Sequence, residues 1–286
     1  MIALLAAATI ATGASLDASA FAYSPSPLRA HVVKTTVTGG IRSTLLTFAS
    51  GDHRVIAEIV APVRAAASAP GILFVHWLGD AATTNHAEFE PDARALALRG
   101  ATSVLVDAQW STITNHNVDW FDKVRSTDSD YRSSIAQVID LRRALDLLSS
   151  QPGVDPTRIA YVAHDFGAMY GAVLSGVDKR PRYFVLMAGT TSFADWFLLG
   201  KPPADVPAYR AQMAPLNPLG FLARGTGKGY LFQFAAHDEF VTEQHATEFF
   251  QAAPLPRAMY VYDAHHDLKV PLAMHDRLDW LESRLF

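Results

Sequence analysis

The sequence predicts an α/β fold, a mostly parallel eight-stranded sheet covered by helices on both faces. Three observations carry that expectation. Short, continuously apolar runs recur along the chain, as strands buried on both faces require. Segments with apolar residues three and four apart separate them, the period of helices with one buried side. Half of the 286 residues are hydrophobic, and no long polar or low-complexity stretch divides the chain, so one substantial core is expected.

In chain order, residues 43–49 and 55–61 read as an antiparallel hairpin joined by Ser50-Gly51-Asp52. The runs at 71–75, 103–106, 158–162, 183–187, 230–234 and 258–262 supply six more strands. Helical spacing covers 85–99 and, more clearly, 131–148, where Ile135, Val138, Ile139, Leu141, Leu145 and Leu148 form one stripe. A helix is expected at or just after Asp165, another over 242–250, and a last over 271–285. Pro271 suits its first turn, where a missing N–H costs nothing. Strands alternating with such helices favour parallel pairing.

Residues 35–286 are expected to form a single domain, with 1–34 an N-terminal extension or possible signal peptide. Ile2 to Ala14 is apolar, and Ala20-Phe21-Ala22 has the small-x-small form of a cleavage site, but no Lys or Arg precedes it. The protein is accordingly expected in the cytoplasm, or exported if residues 1–22 are cleaved. The net charge of −4, from 24 basic and 28 acidic residues, is dispersed. That argues against a nucleic-acid groove and a polybasic membrane patch. No run is long enough for stable membrane insertion, and the expected partners are a small-molecule substrate and water. With no cysteine, disulfides, thiolate metal sites and cysteine nucleophiles are excluded.

The most informative stretch is Val162-Ala163-His164-Asp165-Phe166-Gly167-Ala168-Met169-Tyr170-Gly171. A buried strand ends and a helix rich in small residues follows at once. Ala163 and Gly167 flank Asp165 at spacing two, as a strained strand-to-helix elbow requires. The plainer role for Asp165 is a helix N-cap. Two further polar clusters follow later strands, where open sheets place their sites: Asp238, in Ala236-His237-Asp238-Glu239-Phe240-Val241, and the pair His265-His266. The order of elbow residue, acid and histidine is that of hydrolase triads.

On these residues the chain resembles the α/β-hydrolase superfamily, and more closely the capless hydrolases related to dienelactone hydrolase and the prolyl-oligopeptidase type. The resemblance covers about residues 40–286. It rests on Val75-His76-Trp77-Leu78-Gly79, the elbow, Asp238-Glu239-Phe240-Val241, and Tyr262-Asp263-Ala264-His265-His266-Asp267-Leu268 leading to Arg277-Leu278-Asp279-Trp280-Leu281. It implies a catalytic set of Asp165, Asp238 and His266, because the closing histidine follows an aromatic-x-Ala-x pattern that fits His266 rather than His265. It also implies backbone donors at Leu78 and Phe166 for an oxyanion or leaving group. Trp77 replaces a glycine there, and His76 is expected to be structural.

An aspartate at the elbow departs from the family's serine. A carboxylate attacking an acyl carbon gives a reactive anhydride, whereas attack on an sp3 carbon gives a stable alkyl-enzyme ester that an activated water can hydrolyse. That scheme resembles haloalkane dehalogenases, haloacetate dehalogenases and soluble epoxide hydrolases, which carry a helical cap. Here residues 190–229 are expected to form only a short lid. Substitutes for the cap's donors are sought in Trp77, Trp110, Trp120, Trp196, Tyr131 and Tyr209, with Trp110, Trp196 and Tyr209 expected in the substrate pocket. Lining an apolar pocket is the plainer role for each. Asp107 and Gln109 either face substrate or brace a loop.

Three readings follow. The first is a hydrolase forming a covalent ester through Asp165 on a small epoxide or halogenated substrate. The second is an esterase- or lactonase-like hydrolase of acyl substrates, in which Asp165 acts as a base on water. The third is a non-catalytic binding protein of the same fold. No metal or cofactor is implied: His265-His266-Asp267 lacks zinc-ligand spacing, and Gly39-Gly40 reads as a turn rather than a nucleotide loop.

Overall fold

The computed structural model describes residues 15–112, 129–199 and 202–286. One sheet is built from β1 (His31–Thr38), β2 (Ile41–Ser50), β3 (His53–Pro62), β4 (Ala69–Val75), β5 (Thr102–Val106), β6 (Val154–His164), β7 (Pro181–Met187), β8 (Gly229–Ala235) and β9 (Arg257–Tyr262). Their spatial order is β1-β2-β3-β5-β4-β6-β7-β8-β9. The first three strands pair antiparallel, as do β3 and β5, and the remaining pairs are parallel. Every residue of β4, β5 and β8 is buried, which explains why these strands read as unbroken apolar runs.

The sheet therefore has one strand more than the eight expected. The addition, β1, begins inside the segment read as an N-terminal extension. All eight of its residues are exposed, so its ladder to β2 holds it rather than burial. A strand that buries neither face leaves no hydrophobic pattern to read.

Helices α1 (Glu90–Leu98) and α8 (Pro271–Leu285) cover one face of the sheet. The other face carries α2 (Ser129–Ser149), α3 (Phe166–Val177) and α7 (Glu243–Ala252). Three short helices, α4 (Phe193–Phe197), α5 (Val206–Met213) and α6 (Pro218–Leu222), occupy the interval expected to form a lid. The segment expected as a helix from residue 85 opens instead with a 3-10 turn, His86–Phe89, before α1 takes over. Asn85 caps that turn by accepting the Ala87 N–H. A buried ion pair between Arg277 of α8 and Asp92 of α1 ties the two helices of the first face together. No helix among the described residues is long and apolar enough to cross a membrane.

The stretch proposed as a cleavage site is packed into this body. Phe21 is fully buried, and its ring meets Phe221 edge-on at 5.6 Å. Its carbonyl accepts a hydrogen bond from Arg142 of α2. Truncating a core phenylalanine removes its transfer free energy and leaves a cavity. Phe21→Ala should therefore cost about 3–5 kcal/mol, read as a lower urea midpoint at an unchanged slope.

Candidate active site

The strand order reverses around β4, whose neighbours β5 and β6 lie on opposite sides. The crevice this opens at the carboxyl ends of the strands is where open sheets bind ligands. Val75 at the end of β4 is in register with Ala163, and His164 with Met187. The segments after β4, β6, β8 and β9 thus converge at one end of the sheet.

Asp165 sits in the turn from β6 to α3 with φ +55° and ψ −119°, a conformation a non-glycine residue adopts at a cost of order 1–3 kcal/mol. Its N–H donates to the Met187 carbonyl at 2.8 Å, and its side chain makes no cap bond to α3. The helix-cap role therefore does not account for it. Two glycines allow the sharp turn. A Cβ at Gly167 would stand 2.6 Å from the Val75 carbonyl oxygen, and one at Gly171 would stand 2.2 Å from the Tyr161 ring. The small residues flanking the elbow are there because helix and strands approach this closely.

The carboxylate of Asp165 is completely buried. Its Oδ2 accepts the Leu78 N–H at 2.9 Å. Its Oδ1 has no hydrogen-bond partner and lies 3.8 Å from His266 Nε2, which also has none. Behind it, His266 Nδ1 donates to Asp238, with both carboxylate oxygens at 2.9 Å. The Phe240 and Val241 amides donate to Asp238 Oδ1 and fix it on the loop after β8. His265 points away, exposed and paired with Glu239.

Electrostatics follow from this line of carboxylate, imidazole and carboxylate. Burial works against a charged His266 ring, but Asp165 and Asp238 on either side outweigh it and raise its pKa to about 9. Burial likewise pushes Asp238 up, yet His266 and the Val241 and Phe240 amides hold it below the ordinary range. His266 is therefore an imidazolium at neutral pH. A histidine raised from 6.5 to about 9 contributes stability that is complete below the lower value and lost as pH rises through the upper one. The wild-type protein should lose on the order of 3 kcal/mol between pH 6.5 and 9 from this group. Chemical denaturation across that range should show a smaller loss in Asp165→Asn, where one flanking carboxylate is gone.

Aromatic rings wall the histidine. Trp196 of α4 lies 5.5 Å from the His266 ring and 5.5 Å from Phe166, and Phe240 meets His266 edge-on at 5.1 Å. The Trp196 indole N–H is buried without a partner. An open cleft of about 500 Å³, lined by Trp77, Leu78, Asp80, Phe240, His265 and His266 among others, reaches the site from the histidine side.

Several expected roles need correction. Trp77 is not a leaving-group donor: its backbone N–H donates to Glu88 Oε2 at 2.7 Å and its indole N–H to Thr83 at 2.9 Å. Trp110 is not a pocket residue. It is fully buried, stacks on Tyr170, and donates its indole N–H to the Trp77 carbonyl at 2.9 Å. Tyr209 commits its hydroxyl to the buried carboxylate of Asp130 at 2.6 Å, joining α5 to α2. Asp107 braces the loop before α1 through the backbone N–H and the ring of His86, and the Gln109 N–H donates to Gln137. Tyr131 packs against the core, and Trp120 lies outside the described residues. Phe166 opens α3 with its ring buried against Trp110, Trp196 and Phe197. His76 is structural: its Nδ1–H donates to the Trp77 carbonyl while Nε2 accepts the Ala108 N–H. Burial lowers its pKa and keeps it neutral.

Two residues at the site had no role assigned from sequence, His164 and Glu88. His164 is fully buried, with Nδ1 at 2.7 Å from Glu88 Oε1 and Nε2 at 2.8 Å from the His266 carbonyl. A histidine directly after the apolar run of residues 159–163 was a signal for the first. Glu88, 76 residues away in sequence, gave none.

The sheet order, the strained elbow and the polar residues at the strand ends define the α/β-hydrolase fold. Among solved structures, the chain is similar to the acetyl xylan esterase of Paenibacillus sp. R4 at 17% identity, with a TM-score of 0.74 over 91% of this chain and 90% of that one. Acetyl xylan esterase 1 of Thermoanaerobacterium sp. JW/SL YS485 superposes at 14% identity, with a TM-score of 0.68 over 90% and 88% of the two chains. A protein of Klebsiella pneumoniae subsp. pneumoniae assigned as a dienelactone hydrolase gives 14% identity and a TM-score of 0.65 over 86% and 98%. At these identities the likeness is one of fold. No protein-family profile matches the chain. A stretch of 98 residues is 31% identical to polyketide transferase ATR5 of Stachybotrys chlorohalonatus, covering 33% of this chain and only 29% of that protein.

Proposed function

We propose that this protein is a hydrolase of small acyl or ester-type substrates in which Asp165, His266 and Asp238 do the chemistry. One observation carries this reading: Asp165 Oδ1 and His266 Nε2, both buried and unpartnered, face each other across 3.8 Å beside an aromatic-walled cleft. Leaving a buried polar atom unpaired costs about 1–3 kcal/mol, and such costs concentrate where a substrate supplies the missing partner. The substrate class is supported by the comparisons, which by name act on acetyl esters or transfer a polyketide group.

The charge states suit acid–base hydrolysis. Asp165 takes a proton from water, whose oxygen attacks the acyl carbon. As the tetrahedral adduct collapses, the imidazolium of His266 gives its proton to the departing alkoxide. The products are a carboxylic acid and an alcohol, and the proton on Asp165 then returns to His266. Asp238 holds the ring and its charge throughout. Trp196, with its unpartnered indole N–H beside His266, is the donor for the developing oxyanion. An acid near pH 9 predicts a rate that persists through neutrality and falls as pH rises through about 9.

A second reading is favoured by the Leu78 hydrogen bond. It places the donor on the oxygen of Asp165 itself, the atom that becomes the carbonyl of an alkyl-enzyme ester if Oδ1 attacks an epoxide or halogenated carbon. Assay of short acyl esters, lactones, epoxides and haloalkanes with wild type and Asp165→Asn tests both readings. Hydrolysis of esters by wild type alone supports the first, and hydrolysis restricted to epoxides or halides replaces it with the second. No turnover of any class by a folded protein would favour a binding role.

A further inference from the structure

We infer that His164 and Glu88 form a buried positioning pair that sets where His266 and the Trp77-Leu78 segment stand relative to Asp165. The inference rests on the catalytic reading of Asp165 and His266 above. His164 is the last residue of β6, immediately before Asp165, so whatever it grips is referenced to the elbow. Its Nε2 holds the backbone carbonyl of His266 at 2.8 Å, on the loop after β9. Its Nδ1 meets Glu88 Oε1 at 2.7 Å, and the other oxygen of Glu88 accepts the Trp77 N–H at 2.7 Å, on the segment after β4. The Trp77 indole then lies flat on the His164 ring, 5.2 Å between centroids and 4° between planes. One carboxylate and one imidazole thus join three segments that are far apart in sequence.

The two functional groups nearest Asp165 hang directly from these anchors. Leu78, whose N–H donates to Asp165 Oδ2 at 2.9 Å, is the residue after Trp77. His266 is gripped twice, through its carbonyl by His164 and through its ring by Asp238. Both ring nitrogens of the buried His164 and both oxygens of Glu88 are committed to these bonds, so the pair acts through the residues it holds.

Hydrogen counting makes the pair self-contained. Both nitrogens of His164 face oxygens, one a carboxylate and one a carbonyl, so a proton must lie on each contact. A proton shared between the ring and Glu88 meets that requirement on whichever side it rests, and adds no net charge beneath Asp165. The same counting singles out a conservative replacement. In Glu88→Gln the amide oxygen still accepts the Trp77 N–H, and the amide N–H donates to His164 Nδ1. A neutral His164 then still donates from Nε2 to the His266 carbonyl, and every bond is kept. In Glu88→Ala the Trp77 N–H and His164 Nδ1 both lose their partner.

The test compares these two variants by steady-state kinetics and by NMR titration of labelled histidine side chains, which needs no substrate. Glu88→Ala should lower kcat about 100-fold with KM changed less than about 3-fold, the signature of misplaced reacting groups. It should also move the His266 titration from about 9 toward the ordinary histidine value as the ring leaves its carboxylates. Glu88→Gln should restore kcat to within about 3-fold of wild type, since all bonds are remade. If Glu88→Ala fails to fold, the double variant Glu88→Leu/His164→Phe removes the pair without stranding a buried charge and should show the same kcat loss. A folded Glu88→Ala protein with unchanged kcat and His266 titration overturns the inference, as does a Glu88→Gln protein damaged as severely as the alanine variant. Full activity of Asp165→Asn would instead overturn the catalytic reading, while the NMR titration would still report on the pair.

Discussion

Replacing Asp165 by asparagine should lower kcat for any hydrolysed substrate by about 10⁴-fold or more, the scale on which hydrolytic triads lose activity when one member is removed. The substitution is nearly isosteric. An amide oxygen still accepts the Leu78 N–H, the elbow keeps its backbone, and no volume is lost in a fully buried site. What disappears is the charge on Oδ1, and with it both the ability to take a proton from water and the ability to attack carbon. Near-wild-type denaturation midpoints above the His266 titration at about pH 9, where neither protein keeps the stability linked to a protonated ring, would separate this loss of chemistry from a loss of fold. The stability between pH 6.5 and 9 should also flatten, because Asp165 no longer supports a protonated His266.

The second large effect concerns His266→Gln, where the loss should depend on the leaving group. A ring held protonated to about pH 9 is in the state to give a proton, so its contribution is greatest when the departing alkoxide is most basic. Ethyl and other alkyl esters should lose about 10³–10⁴-fold in kcat, while aryl esters that leave as stable phenolates should lose about 10-fold or less. Initial rates across a series of leaving groups measure this directly. A uniform loss would remove His266 from the acid role. Accumulation of a mass adduct on Asp165 in this variant would point to the covalent alkyl route, in which esterification neutralises Asp165 and so releases His266 to act as a base.

The fold was largely legible because its central strands are buried on both faces and its helices on one. Burial of that kind writes itself into composition, as in β4, β5 and β8. β1 was not legible because it buries nothing. Within the site, Asp165, Asp238 and His266 stood out by their order and by their places after strand ends, and the structure brings the three side chains into one line. The aromatic residues were harder. Trp77, Trp110 and Tyr209 each carry a polar hydrogen whose partner lies elsewhere in the fold, on Thr83, on the Trp77 carbonyl and on Asp130. A sequence shows that an indole or phenol is present but not where its hydrogen goes. Glu88 was invisible for the same reason, since its importance comes wholly from the His164 ring and the Trp77 amide that it joins.

Whether Asp165 activates water or bonds to the substrate is settled most directly by many turnovers in H₂¹⁸O, followed by digestion and mass analysis of both the product and the peptide spanning the elbow. The acid–base account predicts ¹⁸O in the released carboxylic acid and an unlabelled Asp165 carboxylate. Label in that carboxylate would contradict it, because oxygen from water enters Asp165 when a covalent ester or anhydride on that side chain has been hydrolysed.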